Sequence, residues 1–135
     1  MPTQIFVNLP IRDLKKSMDF FGKIGYTFNM QFTNDDATCM IITDTIYAML
    51  LTEPFFKTFT KREICDTKNS IEAIIALSAE NREAVDELVN KALAAGGTEP
   101  RPVNDMGFMY TRCFEDLDGH LWEIFHMDMS AIPQQ

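Results

Sequence analysis

The sequence predicts an α+β fold made of two modules, each with the element order βαβββ. An apolar strand followed by an amphipathic helix occurs twice, about 70 residues apart. In each half a glycine ends the helix, and short apolar runs separated by turn residues follow it. A supersecondary unit repeated at such an interval indicates an internal duplication. Helices combined with strands joined by short turns place the chain in the α+β class.

The first module is predicted at about residues 4–53. Its opening run, QIFVNLPI, is typical of a strand that ends near Pro10. Asp13 then caps a helix whose apolar residues recur at i, i+4 and i+7 from Leu14 and which stops at Gly25. The runs YTFNMQFT, ATCMIIT and IYAMLLT follow, separated by NDD and TDT, and they predict a three-stranded meander.

The second module is predicted at about residues 71–128, after a connection at 54–70. SIEAIIALS indicates a strand, and a helix runs from about Asn81 to the glycines at 96 and 97. GFMYTRCF and HLWEIFHM form a hairpin around DLDG. A short strand near residues 98–101 would complete the module, although two prolines make it irregular or place it at an edge.

Composition limits the classes of function. A chain of 135 residues with 46% apolar content predicts one domain, residues 1–135. A net charge of -8 has the wrong sign for a protein that binds nucleic acid. The sequence lacks both an apolar run of membrane-spanning length and a secretory signal, so we expect no membrane partner and a cytoplasmic location. Three widely spaced cysteines argue against a disulfide framework or a zinc module.

Three features together resemble a known superfamily: the stretch LPIRDLKKSMDFFGKIGYTF, the turn and strand FEDLDGHLWEIF, and the duplicated βαβββ order. They are similar to the vicinal oxygen chelate superfamily, which includes glyoxalase I, bleomycin-resistance proteins and extradiol dioxygenases. The resemblance covers roughly residues 4–127. It implies a curved eight-stranded mixed sheet, or cup, with the helices on its outer face. It also implies a homodimer.

The resemblance further implies where a metal would lie. Metal-using members carry four inward-facing ligands, one on the first and one on the last strand of each module. Transferred to this sequence, those positions are Phe6, Met49, Ile74 and Glu123. A phenylalanine ring and an isoleucine supply no donor atom, and one carboxylate does not make a site for a divalent ion. Asn8, two residues beyond Phe6, adds at most a neutral amide, so we expect no metal and no cofactor.

Glu123 lies in an otherwise apolar strand and therefore needs a partner. If Glu115 pairs with His120 across the turn, Arg112 lies directly opposite Glu123. A slip of one residue would separate them. Three interpretations stay open: an internal ion pair, the polar anchor of a ligand pocket, or a catalytic general base at Glu123. The predicted pocket consists of Phe6, Asn8, Tyr47, Met49, Ile74, Tyr110, Arg112, Leu121 and Phe125.

Three functions therefore compete. The first is a metal-independent protein that binds a small, partly apolar molecule in the cup. The alternative is a metal-dependent lyase, isomerase or dioxygenase with unusual ligands, and the third is a dimer whose cup is filled by its own side chains. The phenylalanines at 55, 56 and 59 are expected to pack beneath the connection or at a subunit contact. Closure over a ligand is the other interpretation of these rings.

Overall fold

The computed structural model describes residues 2–131. Within them the chain divides into two compact units on either side of the bond between Asp66 and Thr67. That boundary lies inside the predicted connection, and each unit holds one βαβββ module. The α+β class and the two βαβββ modules are therefore confirmed. The treatment of residues 1–135 as one domain stays a prediction.

The first unit contains a four-stranded mixed sheet with the order β1-β4-β3-β2. β1 runs parallel to β4, and the other neighbours are antiparallel. The Asp13 side chain accepts a hydrogen bond from the Lys16 amide at the start of α1, and Gly25 ends that helix at a φ of 121°. The elements are β1 (Ile5–Ile11), α1 (Leu14–Ile24), β2 (Thr27–Asn29), β3 (Ala37–Ile41), β4 (Ile46–Thr52) and α2 (Glu53–Phe56).

The second unit repeats this topology with the order β5-β8-β7-β6. β5 runs parallel to β8, and β7 is antiparallel to both of its neighbours. Asn81 caps α3 as Asp13 caps α1, by accepting a hydrogen bond from the amide of Ala84 at 2.7 Å. The elements are β5 (Ile74–Ser78), α3 (Arg82–Ala94), β6 (Asn104–Asp105), β7 (Met109–Glu115) and β8 (Leu121–Met127).

Two predicted strands differ from the observed ones. The second strand of the first module ends at Asn29, where a turn of 3-10 helix, Met30–Phe32, replaces the rest of the predicted run. In the second module, Thr98 makes only an isolated bridge to Glu115, and the paired strand begins at Asn104. Two prolines lie between these points, and proline cannot donate a hydrogen bond to a neighbouring strand.

The register of the two sheets shows which positions of the repeat correspond. Asn8 pairs with Met49 in the first unit, and Ala76 pairs with Glu123 in the second. Cys39 pairs with Met49, and Cys113 pairs with Glu123. The predicted equivalence of Met49 and Glu123 is therefore confirmed.

Each sheet has one side packed against its long helix. In the first unit that side includes the buried Phe20 and Phe21 of α1 and Ala48 and Leu50 of β4. In the second unit Trp122 and Ile124 of β8 are equally buried with Val85 and Val89 of α3. Within residues 2–131 no helix is long and apolar enough to cross a membrane.

Candidate functional site

The open face of the first sheet, defined here as the side turned away from α1, carries four of the nine residues of the predicted pocket. Phe6 and Tyr47 are neighbours across β1 and β4, and their rings stack with centroids 4.7 Å apart. Asn8 and Met49 form the next pair on the same face. The structure therefore brings these four predicted residues together.

A cavity of about 340 Å³ lies on this open face. The side-chain amide of Asn8 donates a hydrogen bond to the Phe6 carbonyl at 3.1 Å, which fixes the orientation of the amide. Carbon surface dominates the lining, and the only polar side chains of the described lining are one amide and one hydroxyl. The cavity is lined by Asn8, Leu51, Phe56, Phe59 and Thr60.

Residues 53–60 form one wall of the cavity and are ordered by their own contacts. Pro54 occupies the first turn of α2, where its missing N–H costs nothing. The rings of Phe55 and Phe59 meet edge to face at 5.2 Å. The Thr58 hydroxyl donates to the Phe55 carbonyl at 2.7 Å, and Thr60 accepts from the Arg62 amide at 3.1 Å. The sequence favoured packing of these rings beneath the connection or at a subunit contact, with closure over a ligand as the alternative, and in the structure Phe56 and Phe59 line the cavity.

The open face of the second sheet carries the rest of the predicted set, apart from two residues. Leu121, Glu123 and Phe125 alternate along β8 with the buried Trp122 and Ile124. Ile74 lies beside Leu121 on β5 and is exposed. Glu123 is the charged member of this group.

Glu123 pairs with Arg101 rather than with Arg112. The Arg101 guanidinium donates to the Glu123 carboxylate at 2.6 Å, and the two side chains are 46% and 18% exposed. Cys113 lies opposite Glu123 and is fully buried. Burial raises the pKa of the Cys113 thiol, and the neighbouring Arg101 guanidinium partly opposes that increase.

The predicted register of the last hairpin is wrong by one residue. Glu115 pairs with Leu121, and consequently Arg112 lies opposite Ile124 while Glu123 lies opposite Cys113. Because side chains alternate along a strand, this slip turns Arg112 to the side that packs against α3. The Gly119 amide donates to the Asp116 carbonyl, and the Asp116 amide donates to the His120 carbonyl, so the turn takes in one residue more than predicted.

The positive charge of Arg112 is balanced by carboxylates of the second unit. Its Nε and Nη2 donate to both oxygens of Glu99 at 2.9 and 3.0 Å. Its Nη1 donates to Asp86 at 3.0 Å and to Asn90 at 3.1 Å. These hydrogen bonds, first of all those to Glu99, raise the pKa of Arg112 further above its already high value.

Tyr110 belongs to the same network. Its hydroxyl donates to Asp86 at 2.7 Å, and the Arg82 guanidinium lies 4.9 Å from the centre of its ring. The hydrogen bond to Asp86 raises the pKa of Tyr110. Of the residues predicted to bind ligand, Tyr110 and Arg112 thus connect β7 to α3, on the side of the sheet away from the open face.

The turn before β8 is fixed by close contacts. The buried Asp116 accepts hydrogen bonds from the Trp122 indole at 2.9 Å and from the amides of Asp118 and His120 at 2.9 and 3.0 Å. Burial raises the pKa of Asp116. Gly119 has a φ of 81°, and a β-carbon there would lie 2.6 Å from the Thr67 hydroxyl. Only glycine fits this position.

The side chains present do not fit a divalent metal at the positions that the resemblance implies. Phe6 and Met49 come from the first unit, and Ile74 and Glu123 from the second. A thioether is a soft ligand, two of the four groups have no donor, and the carboxylate already binds Arg101. Among residues 2–131, no three His, Cys, Asp or Glu side chains lie close enough to share an ion.

Comparison with known proteins agrees with the fold. Residues 4–124 match the family model described as Glyoxalase/Bleomycin resistance protein/Dioxygenase superfamily. The resemblance inferred from the sequence is thereby confirmed. No curated protein matches the chain.

Solved structures are similar over almost the full length. Hypothetical protein SA1046 from S. aureus is 26% identical with a TM-score of 0.79, and 93% of this chain and 94% of that chain are covered. A glyoxalase/bleomycin resistance protein/dioxygenase family enzyme from Burkholderia phytofirmans PsJN is 18% identical with a TM-score of 0.79, covering 93% and 99%. A bleomycin resistance determinant encoded on the transposon Tn5 is 15% identical with a TM-score of 0.66, covering 95% and 100%.

Proposed function

The chain belongs to the glyoxalase/bleomycin resistance protein/dioxygenase superfamily, and from this premise we propose that it binds a small, partly apolar molecule without a metal ion. The cavity on the open face of the first sheet is the proposed site. The observation that carries the proposal is its lining, in which three apolar side chains surround one amide and one hydroxyl. Small-molecule sites are concave and mostly apolar, with a few placed polar groups.

The size and exposure of the cavity support binding. Its volume of about 340 Å³ lies at the lower end of the range for small-ligand sites. Phe59 is 69% exposed although it lines the cavity, so its ring stands at the mouth with most of its apolar surface in water. A ligand that covers this ring gains the free energy of removing that surface from water.

Metal independence is supported by donor chemistry. Of the four positions that hold a metal in metal-using relatives, only Glu123 has an oxygen donor, and Arg101 already supplies its counter-charge at 2.6 Å. Phe6, Tyr47 and Met49 share the open face with the cavity and are proposed as further ligand contacts. Ile74, Leu121 and Phe125 lie on the equivalent face of the second unit, and we propose them as ligand contacts of that unit.

Binding is favoured over catalysis by the same contacts. The Arg101 guanidinium donates a charge-assisted hydrogen bond to a Glu123 carboxylate oxygen at 2.6 Å, so an oxygen that a general base would use for a substrate proton is already occupied. One similar structure is a bleomycin resistance determinant, which is consistent with a binding role for this chain. The proposed ligand is not restricted to that drug.

We further propose a cytoplasmic homodimer that does not bind nucleic acid. Large apolar side chains outside the proposed binding surface, including Ile5, Ile71 and Met106, are about half exposed, and a second copy would cover such surface. The second unit contains twelve acidic and five basic residues, a balance that repels a phosphate backbone. Sedimentation at micromolar protein concentration tests the dimer, and a single monomeric species would contradict it.

A paired substitution tests the binding site. A thermal-shift screen of aromatic acids, amides and antibiotics should yield compounds whose affinity falls at least about tenfold in Phe59→Ala, because the ring at the mouth of the cavity is lost. Phe32→Ala is the matched control, since Phe32 is 64% exposed in the other short 3-10 helix of the unit and does not line the cavity. Equal loss in both variants, or no compound bound by the parent protein, would contradict the proposal.

Elemental analysis separates this function from the metal-dependent lyase, isomerase or dioxygenase. Protein purified without chelator is expected to contain no stoichiometric transition metal, and its ligand affinity should be unchanged by EDTA. A stoichiometric metal that is lost in Glu123→Gln would overturn metal independence and assign Glu123 to the metal.

A further inference from the structure

We infer that the cavity of the first unit selects a neutral ligand with an aromatic body and an amide-like group that both donates and accepts hydrogen bonds. The inference rests on the proposed function and names its ligand class. The ligand class is inferred from the hydrogen-bond donors and acceptors of Asn8 and Thr60 that can still bind a ligand.

Asn8 supplies the main polar contact. One of its two amide N–H groups donates to the Phe6 carbonyl at 3.1 Å. Because a carbonyl only accepts, the amide nitrogen must be the atom that faces Phe6, and its orientation follows from chemistry. Within residues 2–131, the second N–H and the carbonyl oxygen of the Asn8 amide have no protein partner, so both can bind a ligand. Together they match a group that offers one donor and one acceptor.

Thr60 adds a second polar group with the same dual character. Its hydroxyl oxygen accepts a hydrogen bond from the Arg62 amide at 3.1 Å, which leaves the hydroxyl proton to donate. Neither lining group prefers an anion or a cation. A carboxylate would leave the Asn8 carbonyl without a donor, and an amidinium would leave the N–H and hydroxyl donors without an acceptor.

The charge of the surroundings supports a neutral ligand. Among the described residues that line the cavity, none carries a formal charge. The first unit has seven basic and eight acidic residues, a net charge of only -1, so the excess negative charge of the chain lies in the other unit. A charged ligand placed against Leu51 and the two phenylalanine rings would lose hydration without gaining an ion pair.

The rival occupant is a cation held over the rings of Phe56 and Phe59. Aromatic faces attract cations, and the whole chain is acidic. Phenylalanine is a weaker partner for such contacts than tryptophan, and the described lining of the cavity contains no carboxylate to assist it. The two ligand classes are separated by probes of equal shape.

Three compounds with the same aromatic body provide those probes: naphthamide, naphthoate and naphthamidine, which are neutral, anionic and cationic near neutral pH. Titration by nuclear magnetic resonance is expected to show naphthamide bound at least about fivefold more tightly than the other two, the value of one net hydrogen bond. All detected binding should fall in Phe59→Ala.

Asn8→Asp changes the charge of the cavity while keeping the shape of the side chain. It is expected to reverse the preference, so that naphthamidine binds more tightly than naphthamide, because a carboxylate accepts from both N–H groups of an amidinium. Asn8→Ala should bring the three affinities together. Gln31→Glu is the matched control, since it adds the same charge to an exposed residue of the same unit outside the lining, and it should leave the order unchanged.

The outcomes separate the two levels of the proposal. Naphthoate or naphthamidine binding as tightly as naphthamide, with the loss in Phe59→Ala intact, would overturn the neutral ligand class and leave the binding function standing. Affinities that do not respond to Phe59→Ala would overturn the cavity as the site. No detectable binding of any of the three probes would overturn the ligand class, and silence in the wider screen as well would overturn the function.

Discussion

The two units share one topology and one register but differ in where they place charge. The first unit has seven basic and eight acidic residues, and the second has five basic and twelve acidic residues. On the open face of the first sheet, Asn8, Met49 and Cys39 are uncharged neighbours. In the second sheet Glu123 occupies the position of Met49, and its carboxylate is paired with the Arg101 guanidinium.

The helix-facing sides differ in the same direction. Thr38 and Arg112 are equivalent, since each directly precedes a corresponding cysteine, Cys39 opposite Met49 and Cys113 opposite Glu123. Thr38 needs only a hydrogen bond to Thr33 at 2.8 Å, whereas Arg112 needs two carboxylates and an amide. A duplicated backbone thus fixes where side chains point, and the residues at those points decide whether a helix-facing position makes a neutral hydrogen bond or an ionic network.

The largest expected effect comes from Arg112→Met compared with Thr38→Val. Arg112→Met removes the shared partner of Glu99 and Asp86 and should lower the free energy of unfolding by about 3 kcal/mol, at the low end of values for a broken buried pair because both carboxylates are partly exposed. Thr38→Val removes one neutral hydrogen bond and should cost about 1 kcal/mol. Denaturation in urea measures both.

Similar losses in the two variants would contradict the contrast between an ionic and a neutral helix-facing side. Arg82→Met is a further control, because Arg82 forms an exposed pair with Asp105 at 2.6 Å. Its effect should be much smaller than that of Arg112→Met, because exposed ion pairs contribute little to stability.

The turns before β4 and β8 provide the next comparison. Gly119→Ala forces a β-carbon to within 2.6 Å of the Thr67 hydroxyl at a φ of 81°, and we expect a loss of about 2 kcal/mol. Thr45 is the equivalent residue of the first unit, and Thr45→Ala should cost about 0.5 kcal/mol or less. A mild effect of Gly119→Ala in thermal denaturation would show that residue 67 moves away without cost.

The smallest predicted effect concerns the pKa values of Tyr26 and Tyr110, which are raised for different reasons. Burial raises the pKa of Tyr26 to about 12, whereas the hydrogen bond to Asp86 is the first cause that raises the pKa of Tyr110. Asp86→Asn should lower the pKa of Tyr110 and leave that of Tyr26 unchanged, as followed by ultraviolet absorbance during alkaline titration. A joint shift would mean that one common perturbation governs both.

The raised pKa of Tyr26 makes the free energy of unfolding depend on pH in the alkaline range. Its folded pKa lies above the ordinary value of 10.0. The neutral form is therefore favoured in the folded state, and its contribution is fully present below about pH 10 and is lost as the pH rises through about 12. Unfolding free energies of the parent protein and Tyr26→Phe should diverge only in that interval.

Much of the fold was predictable because local signals agreed with the global repeat. Asp13 and Asn81 cap the two long helices as expected, and Gly25 ends the first. The short strand of the second module was misplaced because pairing with β7 resumes only after the prolines, at Asn104. Such an edge strand depends on tertiary contacts that no local pattern reveals.

The site was harder to predict than the fold. The turn at Asp116 contains one residue more than predicted, and this difference places Arg112 on the other side of the sheet. The apolar pattern of the two strands does not show how many residues the turn between them contains. Arg101 lay in a segment without a periodic pattern, so its pairing with Glu123 gave no signal beyond opposite charge. Phe56 and Phe59 were noticed, but a run of aromatic residues does not show on which side of the chain a cavity lies.

Three of the residues that line the cavity, Phe56, Phe59 and Thr60, belong to the connection that follows β4, outside the paired strands of the sheet. Connections of this kind tolerate substitution far better than a core does. Phe56, Phe59 and Thr60 can therefore be substituted without disturbing the capped helices or the strand register. Substitutions at these three positions are a route by which evolution can change the ligand preference of the cavity. A library confined to these three positions would draw on that evolvability directly.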